Sequence, residues 1–258
     1  MTGASSGLGR EIARQLVLDH GYRVLATARR LDLLEQLRDE MPLGSMEIME
    51  GDLSDPNFRE SLWAWAEADR GRIDLLVNNA GLGNYADFGE QDFEVVRQLV
   101  EVNLMALMDL TQRAIRHMRI IGKGQILQIS STLGFVAMPY AAVYNATKHA
   151  VNGLVKTLRY ELRDSGVRVW AACPSRIRTD FRTSALGRDC EDHARLHGES
   201  VESVARGILR GLKSQETFRK PTWNARLVVG IAHWLPGPFE WFMIRWAPAH
   251  FAREIGRV

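Results

Sequence analysis

The sequence predicts an α/β fold, a doubly wound parallel sheet of Rossmann-like type in a single domain, and three observations predict it. Short apolar runs alternate along the chain with longer segments of helical period. The runs are continuously apolar, as strands covered on both faces must be. A glycine-rich turn opens directly into the first helical stripe. At 258 residues, with no repeat or linker, the chain fits one domain with one large α/β core.

The elements follow in order. Leu8, Ile12 and Leu16 form the stripe of a first helix, and residues 22–28 and 45–49 read as strands. Ser54, Asp55 and Pro56 make a cap-like start for a helix over 56–68. A strand at 73–77 is followed by a helix carrying Val96, Leu99, Val100, Leu104 and Leu107. Strands at 125–129 and 167–172 flank a helix over 141–162. The segment 220–258 is an aromatic-rich tail holding four of the seven tryptophans.

Composition narrows the function. The formal net charge is +2, too balanced for a protein that grips phosphate backbones, so no nucleic-acid partner is expected. Two cysteines in a chain of this size fit a reducing, cytoplasmic setting better than a disulfide framework. The longest late run free of Asp, Glu, Lys and Arg spans 227–239, 13 residues broken by Pro236, too short to cross a bilayer.

The turn Thr2-Gly3-Ala4-Ser5-Ser6-Gly7-Leu8-Gly9 suits a pyrophosphate, because glycines admit close backbone approach and a helix N-terminus favours negative charge. A tight turn with no ligand is the plain alternative. A dinucleotide site carries its ribose-reading residue about 20 positions after the glycines. Here that residue is Arg29, followed by Arg30, and an arginine there favours NADP(H) over NAD(H).

Tyr144 and Lys148 are four apart in a helical segment and so share a face, and Ser131 stands just past a strand end. Together these residue types suit carbonyl reduction or alcohol oxidation. A neighbouring ammonium would draw the phenol down towards its working range, Tyr144 would give or take the proton, and Ser131 would bond the substrate oxygen. The alternatives are a core tyrosine, a surface lysine and a turn serine.

Up to about residue 180 these motifs resemble the short-chain dehydrogenase/reductase family, in its NADP-preferring branch. By that resemblance the cofactor-binding residues are Gly3, Ser5, Ser6, Gly7, Leu8 and Gly9 in the turn, with Arg29, Arg30, Asp52 and Leu53 around the adenosine. It also implies Asn79, Ala80 and Gly81 in the fourth-strand motif, Tyr144 and Lys148 at the nicotinamide ribose, and Pro174, Ile177 and Thr179 at the carboxamide. The catalytic set would be Asn103, Ser131, Tyr144 and Lys148, with Asn103 holding a relay water. The resemblance further implies a homodimer or homotetramer and a substrate flap at 175–200.

Two departures bear on the match. Ser175 stands where a glycine usually follows Pro174, and only Met1 precedes Thr2 where the family has a central strand. Loss of such a strand would expose two inner edges at roughly 1 kcal/mol per hydrogen bond, so the chain is expected to be short at its N-terminus.

Cys190, His193 and His197 have helical spacing, but the surrounding Asp189, Glu191 and Asp192 favour a solvated turn, and no metal is expected. Arg176, Arg178, Arg182 and Arg188 crowd the flap and are read as a solvated loop, the alternative being that they favour an acidic substrate group. The tail could meet a membrane surface, cap a lipophilic pocket, cover the core or join subunits. The expected function is therefore NADP(H)-dependent interconversion of a carbonyl and a secondary alcohol on an apolar small molecule. The alternatives are a nucleotide-binding protein with little catalysis or a membrane-associated lipid binder.

Overall fold

Each apolar run becomes a parallel strand and each helical stripe a covering helix. The computed structural model describes residues 1–179, 181, 186–187 and 198–254. The first half runs α1 (Gly7–Leu18), β1 (Val24–Ala28), α2 (Leu31–Asp39), β2 (Met46–Glu50), α3 (Pro56–Arg70), β3 (Leu75–Asn78) and β4 (Asn84–Tyr85). Then come α4 (Phe93–Val100), α5 (Ala106–Ile121), β5 (Gly124–Ile129), α6 (Ala142–Glu161) and β6 (Val167–Ala172). Last are β7 (Leu186–Gly187), α7 (Val201–Leu209), β8 (Phe218–Arg219), α8 (Trp223–Trp234), α9 (Pro236–Arg245) and α10 (Ala247–Glu254).

All pairings are parallel: β3-β5-β6-β8 form one sheet, β1-β2 a second and β4-β7 a third. Met1–Gly3 lies between β1 and β3. Thr27 N donates to Met1 O at 3.0 Å, Gly3 N to Thr27 O at 2.8 Å, and Thr2 N to Val77 O at 3.0 Å. Ile12, Leu16, Leu34, Leu37, Val204 and Ile208 bury α1, α2 and α7 together, while Leu62, Leu110, Ile115, Val151 and Val155 do so for α3, α5 and α6. Helices thus cover both faces, the doubly wound arrangement of a single Rossmann-like domain.

Local chemistry sets the boundaries. Asp55 caps α3 through Asn57 N at 2.9 Å, with Pro56 in the first turn, and Gly71 ends it at φ 65°. The helical stripe read as one segment around Asn103 is two helices joined by a π-helical turn, Glu101–Met105. One extra residue per turn there redirects the side chains, as at many functional sites.

Candidate active site

A cavity of about 830 Å³ opens along the C-terminal ends of the strands, where parallel α/β sheets bind ligands. Its floor is the glycine turn. Gly3 and Gly7 have φ of 67° and 53°, which side-chain-bearing residues rarely adopt. A Cβ on Gly9 would lie 2.0 Å from Gly3 O and 2.3 Å from Asn79 Nδ2. Asn79 Nδ2 donates to Thr2 O at 3.1 Å and to Gly3 O at 2.9 Å, while Asn79 N and Ala80 N donate to Thr2 Oγ1 at 3.0 and 3.1 Å. The turn and the strand end after β3 are therefore one unit, and Gly7, Leu8 and Gly9 at the start of α1 line the cavity.

The cationic rim lies beyond β1. Arg30 Nη2 donates to Ser6 Oγ at 2.6 Å and Ser5 Oγ at 3.2 Å, so its guanidinium rests on the turn. Arg29 instead approaches Asp52, Nη1 to Oδ2 4.0 Å. Asp52 and Leu53 close that end, and buried Arg59 ties Leu53 O (2.7 Å) to Glu101 (2.7 Å) and Asp109 (2.8 Å). One side chain thereby fixes the loop after β2 against the π-helical turn.

The opposite end holds the tyrosine. Ser131 caps the short helix 132–134, its Oγ accepting from Leu133 N at 3.1 Å. Tyr140, at φ 62°, turns the chain into α6, and its carbonyl accepts from Ala86 N at 2.9 Å. Tyr144 is buried and lines the cavity together with Ser131, with its ring centroid 5.9 Å from that of Phe181. Lys148 Nζ donates to Ile129 O at 2.9 Å and stands 5.5 Å from the Tyr144 ring centroid. Asn103 lies behind the cavity wall, its Oδ1 accepting from Leu82 N at 2.7 Å and its Nδ2 donating to Leu82 O at 2.9 Å.

The electrostatics correct the sequence expectation for the phenol. Burial pushes the Tyr144 hydroxyl well above its ordinary value, neighbouring Tyr85 adds to the rise, and Ser131 opposes it. Burial also pushes Lys148 down to about 8. The phenol's rise is set by its own burial and by Tyr85, and the Lys148 ammonium is not among the groups that draw it down. The Cys173 thiol, pushed up to about 12 by burial, stays protonated and is no nucleophile.

The cavity brings together nearly all of the residues singled out from the sequence: the turn from Gly3 to Gly9, Arg29, Arg30, Asp52, Leu53, Asn79, Ala80, Gly81, Ser131, Tyr144, Lys148, Pro174, Ile177 and Thr179. Thr179 covers Gly7, with its Cγ2 3.3 Å from where a Cβ on that glycine would sit. Sequence reasoning missed Tyr85, which no spacing marks, and Val228, Phe239, Met243 and Phe251, which bring the tail over the cavity. Cys190, His193, His197, Arg182 and Arg188 lie outside the described residues, and no group of three metal-ligating side chains occurs among the described ones.

A sequence model of the short chain dehydrogenase family matches residues 1–188. The chain belongs to the short-chain dehydrogenase family. It is 30% identical to the farnesol dehydrogenase of Aedes aegypti, over 81% of this chain and 88% of that protein. It is 31% identical to the D-beta-hydroxybutyrate dehydrogenase of Rhizobium meliloti, over 92% and 90%. Among solved structures it resembles a short-chain dehydrogenase from Sphingobium yanoikuyae in complex with NADPH: TM-score 0.78, 28% identity, 95% and 94% covered. In fold alone it resembles one from Burkholderia phymatum in complex with NAD, at TM-score 0.83 and 22% identity, with 90% and 91% covered. A short-chain dehydrogenase is an oxidoreductase, and the solved structures whose fold it shares include complexes with NADPH and with NAD.

The close glycine packing, the helix start at Gly7–Gly9 in the cavity floor and the Arg30 rim fit a nicotinamide dinucleotide. A Cβ at Gly81 would sit 3.3 Å from Asn103 Oδ1 and 3.8 Å from Lys148 Nζ, so residue 81 is packed closely against Asn103.

Proposed function

We propose that this short-chain dehydrogenase is NADP(H)-dependent and interconverts a carbonyl and a secondary alcohol on an apolar small molecule. The observation that carries the reading is that Ser131, Tyr144 and Lys148 line the same cavity as the glycine turn. When bound, the dinucleotide supplies or accepts the hydride. The chain's own residues handle the proton. A Tyr144 hydroxyl held protonated by burial gives its proton to the carbonyl oxygen as that oxygen gains charge, and Ser131 Oγ hydrogen-bonds the same oxygen. Asn103 is a positioning residue that fixes Leu82, next to Gly81, by two backbone hydrogen bonds.

Arg30, laid on Ser5 and Ser6, supports the NADP(H) preference, since a guanidinium there meets a ribose phosphate with charge-assisted hydrogen bonds. Val136, Met138, Phe239 and Met243 in the cavity wall support an apolar substrate, and so does the resemblance to a farnesol dehydrogenase. Exposed Phe93, Met105 and Met108 on α4, the π-helical turn and α5 support a homo-oligomer through those helices, which sedimentation would measure.

Tyr144→Phe tests the reading. Turnover of apolar ketones with NADPH falls by about a thousandfold while nicotinamide fluorescence still reports binding. Turnover retained in that variant overturns it.

A further inference from the structure

α8 and α9 are apolar on two faces. Their inner faces supply Ala225 and Val229 to the buried interior and Val228, Phe239 and Met243 to the cavity wall. A surface helix so placed turns a polar face to water. Here the outward faces carry Leu227, Ile231 and Trp234, spaced four and three apart on α8, and Trp241 and Ile244 on α9. Trp234 is 79% exposed, Ile244 71% and Trp223 70%, a concentration of exposed bulk found nowhere else among the described residues.

The charges around this face are one-sided. Between residues 223 and 250 the basic side chains are Arg226 and Arg245, joined by His233 and His250, and Glu240 is the sole acid. Arg226 and Arg245 are exposed at the margins of the two helices. Tryptophans with arginines at the edge of an apolar face are the composition of a headgroup boundary, where an indole sits half in hydrocarbon and a guanidinium meets phosphate. No single helix among the described residues is long and apolar enough to cross a bilayer. α8 and α9 meet at a bend of 107° where Leu235 and Pro236 break the helix. At about 18 and 15 Å, neither arm reaches across a hydrocarbon core of about 30 Å, whereas both can lie in the interface plane.

We infer that the outer face of α8 and α9 docks this enzyme on an anionic lipid surface, and that the cavity takes its apolar substrate from that surface. The second half of the inference rests on the function proposed above; the first does not. Charge decides between a lipid surface and a second copy of the chain. A two-fold pairing through this face would set one net basic surface against another, with one glutamate per chain to answer two arginines. Anionic headgroups complement both. The geometry then joins the two faces: Phe239 and Met243 line the cavity from α9, the helix whose other side carries Trp241 and Ile244. A molecule partitioned in the bilayer would have one helix thickness between its reservoir and the site.

The test is flotation of the full chain with vesicles of phosphatidylcholine, with and without phosphatidylserine. Binding is expected to the vesicles containing phosphatidylserine and to weaken with added salt. The double variant Trp234→Glu with Trp241→Glu should lose at least about tenfold in partition, because a carboxylate replaces a buried indole in the interface. Ile120→Glu, which changes an exposed apolar residue at the end of α5, should float as the unaltered chain does. Thermal melting and NADPH fluorescence establish that each variant is folded. No flotation of the unaltered chain, or equal flotation of the double variant, overturns the inference. So does a double variant that only converts an oligomer to a monomer in sedimentation, which would assign the face to a second copy. Flotation requires no turnover, so a failed Tyr144→Phe test would remove the reductase reading and leave the docking result standing.

Discussion

Two walls of one cavity are built in opposite ways. The wall formed by the glycine turn and the strand end after β3 is polar and rigid: Asn79 and Thr2 lock it with four hydrogen bonds, and a Cβ at Gly9 would strike backbone at 2.0 Å. The wall formed by α8, α9 and α10 is apolar and meets the cavity through Val228, Phe239, Met243 and Phe251 without hydrogen-bond demands. Backbone recognition of a constant ligand tolerates few sequences, whereas apolar contact with a variable one tolerates many. The difference teaches where to look for cofactor binding and where to look for substrate choice.

The largest effect that would break this contrast is expected at Gly9. Gly9→Ala must displace both Gly3 and Asn79, and NADPH binding should weaken by at least about a hundredfold, equivalent to roughly 3 kcal/mol, with a lowered melting temperature. Unchanged binding by fluorescence titration would mean that the turn is not the rigid wall described.

Lys148 sharpens the comparison from the stability side. Its folded value of about 8 lies below the ordinary 10.5, so the folded state binds fewer protons between those limits and stability rises with pH across that window. Below about 8 the buried ammonium costs its full penalty. Lys148→Met should therefore be more stable than the parent chain at neutral pH, by on the order of 3 kcal/mol, and the gap should close as pH rises from 8 to 10.5. Chemical denaturation at several pH values checks this; a gap that grows with pH would contradict it.

Arg30→Ala should weaken NADPH by about ten- to a hundredfold, with little change for NADH, since a phosphate would lose its charge-assisted partner. Similar losses for both would move the discrimination to Arg29. The smallest effect is expected in the apolar wall. Phe239→Ala should raise KM for a long-chain ketone by about tenfold, leave kcat for a short one unchanged and leave NADPH binding intact. A loss of NADPH affinity there would dissolve the division between the walls.

Much of this was legible in the residues because it depends on local spacing. Asp55-Pro56 announced a capped helix, and the strand at 167–172 matches β6 (Val167–Ala172) residue for residue. Tyr144 and Lys148 share a helix face because four residues make about one turn. The break near Asn103 was not legible, since a π-helical turn keeps the apolar pattern of the helices it joins. Nor did spacing separate Arg29 from Arg30, adjacent residues that leave β1 towards Asp52 and towards Ser6.

The sequence by itself determined the alternation of strands and helices, the glycine turn and the order of the motifs, all consequences of periodicity and backbone freedom within a few residues. Only the tertiary structure decided that Tyr85 stands beside Tyr144, that Arg59 ties Leu53 to Glu101, that burial raises the phenol, and that the tail turns Phe239 and Met243 inward and Trp241 outward. Those outcomes depend on which distant surfaces meet and how much water they exclude, and no local spacing encodes either.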